Sequence, residues 1–267
     1  MNAEYMLQVV QIARRAGAAI MAVYRGGDAG QTSKADDSPL TLADLAAHRI
    51  IVEELSRLLP EIPVLSEEAA DVAYPVRSRW TRYWLVDPLD GTREFIKRNG
   101  EFTVNIALIE QGEPVLGVVY APVPDVCYYG ARGAGAFMQR GNAAAQSIAA
   151  QPHAAREPIK VVASRSHRDP RIEALLAQLG DHLCISMGSS LKFCLVAEGV
   201  AHLYPRLGPT MEWDTAAAHA VVDAAGGIVC NLAGEALRYN KIDLHNPDFL
   251  VLPAADKALF KLLKLQP

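Results

Sequence analysis

The sequence has few of the features that mark redox, disulfide-rich or zinc proteins. Four of its 267 residues are cysteines, and no two of them form a Cys-x-x-Cys pair or a ligand spacing with histidine. Scattered cysteines of this kind are typical of reduced thiols in a cytoplasmic protein. We therefore expect buried, unpaired thiols at Cys127, Cys184, Cys194 and Cys230.

Long apolar runs and strong charge are also missing. No uninterrupted apolar stretch approaches the roughly 20 residues that a membrane span needs. The amino-terminal region carries Glu4 and an amphipathic pattern, not a basic region followed by an apolar run, so we expect neither a signal peptide nor a transmembrane segment. The formal net charge is −4 and no basic run occurs, which argues against binding to a nucleic-acid polymer.

The patterns that are present predict a layered protein of mixed α+β and α/β class with two packed halves. Long amphipathic helices are expected over residues 4–25 and 41–59, followed by antiparallel strands between residues 102 and 138. Strands and helices then alternate from residue 159 to residue 230. Residues 140–158 are interpreted as the connection, which divides the chain into halves 1–157 and 158–267.

One acidic stretch, residues 84–95, organises the rest of the chain. It begins as an apolar strand over Trp84–Val86, after which Asp87 and Asp90 follow three residues apart. Proline lacks a backbone N–H and fixes its own φ, so we expect the chain to leave the strand at Pro88.

The second part of this stretch predicts the start of a helix. Gly91 permits an unusual backbone angle, and Thr92 is expected to cap a short helix that runs to about Asn99. Such a corner directs carboxylates and free N–H groups to one point, which suits a divalent cation and a phosphate. An ordinary acidic turn with a helix cap explains this stretch equally well when it is considered alone.

Three further acids stand out, and each has a structural explanation of its own. Glu67 follows a short apolar strand, where it could belong to a solvated edge. Asp214 opens a helix directly after Trp213, and Asp44 lies in the first turn of its helix. Acids are favoured at helix N-termini, so either of these two could be a cap.

Taken together, these motifs resemble the inositol monophosphatase superfamily along nearly the whole chain. Within it the sequence looks most like the bacterial CysQ-type branch of 3′(2′),5′-bisphosphate nucleotidases. The resemblance implies a layered αβαβα sugar-phosphatase fold. The closer match to the branch is carried by residues 83–92, 94–105, 164–167, 188–194 and 213–217.

The resemblance also implies a site with two Mg²⁺ ions, with a third left open. Glu67, Asp87 and the carbonyl of Leu89 match the ligands of the first ion, and Asp87 would bridge to a second ion shared with Asp90 and Asp214. The backbone N–H groups of Gly91 and Thr92 match those that hold the scissile phosphate. Thr92 and Asp44 match the pair that positions the attacking water, beside Glu67.

Substrate recognition is expected from the second half of the chain. His167, one or both of Ser189 and Ser190, Lys192 and Arg206 match the residues that contact the nucleoside and its second phosphate in the nucleotidases. Lys192 would act as a point charge, and Arg206 could grip the phosphate bidentately or stack on the base.

The loop of residues 28–37 resembles the mobile one that closes over the site in the family. Lys34 and Asp36 are its residues of interest.

These matches predict Mg²⁺-dependent hydrolysis of the 3′-phosphate of 3′-phosphoadenosine 5′-phosphate to AMP and phosphate, with 3′-phosphoadenosine 5′-phosphosulfate as a related substrate. The resemblance places this reaction beside sulfate assimilation and implies sensitivity to Li⁺. Hydrolysis of an inositol or sugar phosphate is the alternative, and a catalytically silent metal- or nucleotide-binding module is the third. We expect a cytoplasmic protein; members of the branch associate with the inner face of the inner membrane, but no amphipathic anchor here explains that. The oligomeric state stays open.

Overall fold

The computed structural model describes residues 2–26, 32–33, 39–154, 157–163 and 170–265. Its helices are, in chain order, α1 (Asn2–Gly26), α2 (Leu42–Leu58), α3 (Tyr74–Arg77), α4 (Thr92–Ile96), α5 (Pro170–Leu179), α6 (Leu191–Ala197), α7 (Glu212–Ala224) and α8 (Lys257–Leu262). A 3₁₀ turn covers Glu67–Ala69. The strands are β1 (Thr32–Ser33), β2 (Pro39–Leu40), β3 (Val64–Ser66), β4 (Arg82–Asp90), β5 (Thr103–Glu110), β6 (Glu113–Ala121), β7 (Val126–Ala131), β8 (Gly135–Arg140), β9 (Gln146–Ile148), β10 (Ile159–Ala163), β11 (His182–Ser186), β12 (Tyr204–Arg206), β13 (Gly227–Asn231) and β14 (Phe249–Pro253).

The larger sheet is a meander with one parallel pair at its edge. Its strand order is β3-β4-β5-β6-β7-β8-β9, in which β3 and β4 are parallel and all other neighbours are antiparallel. The hairpin between β5 and β6 turns at Gln111 and Gly112, whose φ angles are 53° and 75°. Two consecutive residues with left-handed backbone angles form a turn whose twist matches the right-handed twist of the strands that it joins.

Residues that alternate along the strands send their side chains to opposite faces, and helices cover both faces. On one face, Trp84 and Ile106 pack with Val9 of α1 and Ile51 of α2 in a buried apolar cluster. On the other face, Leu85 and Val119 join a second cluster that includes Ala217 and Val221 of α7. The period-two pattern of the strands therefore produces two cores, one on each side of the sheet.

The strands of the second half lie beyond α6 and α7. β10 and β11 are parallel, while β14 lies between β12 and β13 and is antiparallel to both. A parallel bridge between Val161 and Leu203 joins the two groups of strands. One face packs on α6 and α7 through Val162 and Val251, and the other packs under α5 and α8.

The layers are therefore helices, sheet, helices, sheet and helices, which confirms the predicted αβαβα architecture. Residues from both predicted halves share the apolar cluster around α6 and α7, for example Leu85 with Val251. The division at residues 157 and 158 stays a prediction.

α1 is the one helix of the described residues that is long and apolar enough to cross a membrane, over Glu4–Gly26. Its apolar stripe is packed inside the protein, since Val9, Ala13 and Ile20 are fully buried. Arg14 on the same helix forms an ion pair with Asp125. We interpret α1 as a core helix, in agreement with the expected absence of a membrane span.

The acidic stretch differs from expectation in three details. β4 does not end at Pro88 but continues to Asp90 through a register shift, because a proline tolerates the unpaired position of a β-bulge. Gly91, and not Thr92, is the N-cap of α4, with a left-handed φ of 91°. The Thr92 hydroxyl makes no cap bond, and α4 already ends at Ile96 instead of near Asn99.

Some elements were missed and one cysteine was misplaced. The strands β9 and β14 and the helix α8 were not predicted, since a short apolar run such as Phe249–Pro253 does not reveal its own secondary structure. Cys184 is exposed on β11, whereas Cys127, Cys194 and Cys230 are buried as expected. β11 pairs with β10 alone among the described strands, and much of it is exposed.

Candidate active site

The bulge in β4 brings two carboxylates to one face of the sheet. Residues three apart on a regular strand point to opposite faces. Here Asp87 lies opposite Asn105 of β5, and Asp90 lies opposite Thr103, which is two residues away on β5. One extra residue on β4 therefore turns Asp87 and Asp90 toward the same side, the side that α7 covers.

The first turn of α7 supplies a third carboxylate. Asp214 is the third residue of this helix, and its Oδ2 accepts a hydrogen bond of 2.9 Å from the backbone N–H of Met211. One oxygen each from Asp87, Asp90 and Asp214 lies within 4.8 Å of the others. Asp214 is therefore both a helix cap and a member of this cluster, which we call the carboxylate cluster.

Glu67 adds a fourth acid from the turn that follows β3. Burial is the largest cause that raises the pKa of Asp87 well above its usual value, and the carboxylates of Glu67, Asp90 and Asp214 raise it further. Burial also raises the pKa of Asp214, followed by Asp90 and Glu67. Buried like charges at this spacing favour a cation among them.

This donor set suits a hard divalent metal ion. Mg²⁺ takes oxygen ligands, usually one or two carboxylates together with waters. The side-chain amide nitrogen of Asn105 is buried and has no hydrogen-bond partner among the described residues, although Asn105 lies directly opposite Asp87. A donor left beside the carboxylate cluster can serve a water or a ligand oxygen bound there.

The predicted pair of Thr92 and Asp44 is present. Oγ1 of Thr92 lies 3.4 Å from Oδ1 of Asp44 and 3.4 Å from the carbonyl oxygen of Leu89. Asp44 also caps α2, since its Oδ2 accepts from the backbone N–H of Thr41 at 2.8 Å and from the Thr41 hydroxyl at 2.5 Å. The cap is thus real, and it holds Asp44 in the orientation that reaches Thr92.

A cavity of about 140 Å³ opens beside the carboxylate cluster. It brings together seven of the predicted site residues: Asp90, Gly91, Ser189, Ser190, Lys192, Arg206 and Asp214. Aromatic side chains that the sequence did not indicate also line it, namely Phe193, Tyr204 and Phe249.

Two cationic side chains, Lys192 and Arg206, line this cavity. Burial lowers the pKa of Lys192 to about 8, and the charge of Asp90 opposes that change. Its Nζ donates to the carbonyl oxygen of Ser189 at 2.5 Å and lies 5.5 Å from the centre of the Tyr204 ring. Nη2 of Arg206 donates to the carbonyl oxygen of Pro209 at 2.9 Å, while its buried Nε has no partner among the described residues. Both side chains are placed to meet an anion.

The hydroxyls of the two serines at the start of α6 form hydrogen bonds within the protein. Ser189 Oγ donates to Oδ2 of Asp90 at 2.5 Å, and the backbone N–H of Ser190 donates to the same oxygen at 2.6 Å. Thr103 and Asn105 of β5 complete this network, and the sequence did not reveal them. The feature of the sequence that could have indicated Thr103 and Asn105 is that they are two polar residues at alternate positions of an otherwise apolar strand.

Three predicted residues cannot be placed. His167, Lys34 and Asp36 lie outside the residues that the structure describes. The remaining predicted residues form a single site, drawn from the turn after β3, the end of β4, the starts of α2, α4, α6 and α7, and β12.

The family of the protein follows from a match that covers almost the whole chain. The inositol monophosphatase family matches residues 2–264. The chain belongs to the inositol monophosphatase family. Members of the family are metal-dependent phosphatases, and the carboxylate cluster fits a metal in this protein as well.

Similar proteins narrow the position within the inositol monophosphatase family. The chain is 58% identical over 246 residues to the 3′(2′),5′-bisphosphate nucleotidase CysQ of Salmonella typhimurium. The aligned residues cover 91% of this chain and 98% of the relative. It is 56% identical to the protein of the same name from Escherichia coli K12, with the same coverage. The crystal structure of CysQ from Bacteroides thetaiotaomicron superposes with a TM-score of 0.81 at 45% identity, covering 92% of this chain and 96% of that one. The predicted nucleotidase branch is thereby confirmed.

Proposed function

We infer that the protein is a metal-dependent 3′(2′),5′-bisphosphate nucleotidase that hydrolyses 3′-phosphoadenosine 5′-phosphate to AMP and phosphate. The observation that carries this assignment is the carboxylate cluster beside two cavity cations, Lys192 and Arg206. A phosphatase for monophosphates needs the first feature only. The second feature fits a substrate with another phosphate near a base.

The metal site is assigned to the acids around the end of β4. Glu67, Asp87 and the carbonyl oxygen of Leu89 would hold one Mg²⁺ ion, and Asp87 with Asp90 and Asp214 would hold a second. Bound Mg²⁺ activates a coordinated water and neutralises negative charge on the reacting and leaving oxygens. The raised pKa values of Asp87 and Asp214 support this assignment, because a cation would relieve the repulsion that raises them.

Thr92 and Asp44 are assigned to the attacking water. A carboxylate only accepts hydrogen bonds, so the Thr92 hydroxyl donates its hydrogen bond to Asp44. The oxygen of Thr92 is then free to accept a hydrogen bond from the water, which turns a lone pair of the water toward phosphorus. Water adds to phosphorus and gives up one proton to solvent, the bond from phosphorus to the 3′-oxygen breaks, and that oxygen takes up a proton from solvent to become the ribose hydroxyl.

The two ends of the substrate are assigned to different elements. The backbone N–H groups of Gly91 and Thr92, at the start of α4, would hold the scissile phosphate. Lys192 and Arg206 would hold the second phosphate, and His167 is proposed to contact the nucleoside. 3′-Phosphoadenosine 5′-phosphosulfate, which keeps a charged group at the 5′ position, would use the same contacts.

The test is phosphate release from a panel of substrates with Mg²⁺ and with excess chelator. We expect 3′-phosphoadenosine 5′-phosphate to be hydrolysed with a far higher kcat/KM than inositol phosphate or fructose bisphosphate. In the variant Lys192→Ala, KM for the bisphosphate should rise much more than KM for inositol phosphate. Equal effects on both substrates would favour an inositol or sugar phosphatase, and no release from any substrate would favour a silent binding module.

Location and partners follow from this assignment. We propose a cytoplasmic enzyme whose partner is a small phosphorylated nucleotide. Association with the inner face of the membrane and inhibition by Li⁺ stay predictions from the family resemblance.

A further inference from the structure

The carboxylate of Asp90 is held by a network that joins β5 to the start of α6. Oδ2 of Asp90 accepts from Ser189 Oγ at 2.5 Å and from the N–H of Ser190 at 2.6 Å. Thr103 Oγ1 lies 2.6 Å from Ser189 Oγ and 2.8 Å from Ser190 Oγ. Ser190 Oγ donates to Oδ1 of Asn105 at 2.9 Å. Every donor to Asp90 reaches the same oxygen, so Oδ1 is the oxygen left for a cation among the described contacts.

The number of protons on each side chain limits which atom donates in each hydrogen bond of the network. A hydroxyl has one proton to donate, while a carboxylate oxygen and an amide oxygen only accept. The Ser189 proton therefore goes to Asp90, and the Ser190 proton goes to Asn105. The Thr103 hydroxyl lies nearest to the two serine oxygens, and Oδ2 of Asp90 at 3.4 Å and Oδ1 of Asn105 at 3.3 Å are also within its reach. Each of these acceptors belongs to the network.

Three residues of the network are buried, and a fourth, Ser189, has an unfavourable backbone angle. Thr103, Asn105 and Ser190 are each at most 2% exposed. Ser189 has a φ of 54°, in the left-handed region that a non-glycine residue rarely occupies. Such an angle persists when the surroundings over-determine it, and here it lets Ser189 Oγ and the N–H of Ser190 reach one carboxylate oxygen.

We propose that Thr103, Asn105 and Ser190 are positioning residues for the metal ligand Asp90. This proposal rests on the inferred function only in that the carboxylate cluster binds Mg²⁺. It divides the start of α6 into two roles. The serines orient the metal ligand, and Lys192, one turn further on, meets the anion.

The experiment compares Thr103→Val, which keeps the shape and removes the hydroxyl, with Thr103→Ser, which keeps the hydroxyl. Calorimetric titration of the substrate-free protein with Mg²⁺ gives the metal Kd directly. Losing a partner of a metal ligand typically weakens metal binding by about 10–100-fold. We expect a loss of at least about tenfold in Thr103→Val, and rescue to within about twofold of the wild type in Thr103→Ser.

Kinetics at saturating Mg²⁺ separate metal positioning from substrate contact. Thr103→Val should leave KM for the bisphosphate unchanged, whereas Lys192→Ala should raise that KM and leave the Mg²⁺ Kd unchanged. A Thr103→Val protein with wild-type Mg²⁺ affinity but a raised KM would overturn the proposal in favour of a substrate contact. A lower melting temperature in chelator with an unchanged Mg²⁺ Kd would overturn it in favour of a purely structural role.

The titration also distinguishes this proposal from the inferred activity. If the wild type binds Mg²⁺ but does not hydrolyse the bisphosphate, the nucleotidase assignment fails, and the comparison of Kd values between the Thr103 variants still decides the positioning role. If the wild type does not bind Mg²⁺, the positioning role is refuted as well.

Discussion

At the scale of single residues, Lys192 is a cation in a place where charge is costly. Burial lowers its pKa to about 8 although the charge of Asp90 opposes that change, because a buried ammonium is costly unless a counter-charge pairs with it directly. A phosphate arriving in the cavity would supply that counter-charge. The side chain was predictable from the sequence because a lysine among apolar helix residues needs a reason.

The pH dependence of substrate capture should report this residue. Lys192 is charged below about pH 8 and loses its proton as the pH rises through that value, so kcat/KM for the bisphosphate should fall above pH 8, by up to about tenfold at pH 9. Arginine stays charged throughout this range. Lys192→Arg should therefore show a flat profile between pH 7 and 9, measured by phosphate release. An equal fall in both proteins would contradict the assignment.

Residues that act through other residues were not predictable in the same way. Thr103 and Asn105 look like ordinary polar residues of a strand, and nothing in their neighbours along the chain points to Ser190 or Asp90. Ser189 and Ser190 were expected at the site, and they are there, but their hydroxyls face Asp90, Thr103 and Asn105. Their partners lie about 85–100 positions away in the chain.

At the scale of elements, the position of α7 depends on a glycine in β6. A Cβ added at Gly117 would lie 2.0 Å from the carbonyl oxygen of Ala217 and 2.9 Å from Cβ of Ala220. Backbone cannot yield in the way that a flexible side chain can, so a larger residue would push the helix away from the sheet. α7 carries Asp214 in its first turn, and the metal site would move with it.

Gly117→Ala should therefore destabilise the protein and weaken Mg²⁺ binding. Overpacking of a dense core costs typically about 1–3 kcal/mol, which lowers the melting temperature by about 2–4 °C for each kcal/mol in a chain of this size. Gly26→Ala is the matched control, since Gly26 ends α1 with no atom within 4 Å of an added Cβ. Calorimetric melting should show little change for the control. A wild-type melting temperature for Gly117→Ala would refute the close approach.

The bulge in β4 is a second feature of a single element that determines the geometry of the site. Without the extra residue, Asp87 and Asp90 would face opposite sides of the sheet. The sequence motif indicated the two acids and the turn, but the expected end of the strand at Pro88 was wrong, because the strand resumes its pairing at Asp90.

At the scale of the whole molecule, the metal site joins parts of the chain that are far apart in sequence. Asp87 belongs to the larger sheet and Glu67 to the turn that follows β3. Asp214 comes from a helix that shares a core with both sheets. Mutual repulsion among these buried acids opposes folding until a cation offsets it. Metal binding and global stability should therefore be linked.

Mg²⁺ at about 100 times its Kd should stabilise the fold by about 2.7 kcal/mol, a rise of roughly 5–10 °C in melting temperature. Asp87→Asn removes one repelling charge, so in chelator it should melt above the wild type, and it should lose the response to Mg²⁺. Glu113→Gln is the control, because that exposed carboxylate pairs with Arg132 and Arg238 and lies outside the site. A full Mg²⁺ response in Asp87→Asn would contradict its role as a ligand.

Asp87 and Asp214 decide whether the stability of the protein in chelator rises or falls with pH. Their pKa values are raised in the folded state, so the folded protein binds more protons than the unfolded chain between the usual Asp pKa and the raised values. Their contribution to stability is therefore present at low pH and is lost as the pH rises through that window. Mg²⁺ should remove this dependence.

The sequence by itself predicted helices and strands in layers, because periodicity and turn residues are local properties of the chain. The resemblance of its motifs to the inositol monophosphatase superfamily implied the αβαβα order and the acids of the proposed site, and the apolar neighbours of Lys192 singled out that cation. Only the tertiary structure decided which face Asp87 and Asp90 share, how closely α7 approaches β6 at Gly117, and what the hydroxyls of Ser189 and Ser190 hold. Those features depend on packing and hydrogen bonds between residues distant in the chain, and no local pattern encodes the distance between them.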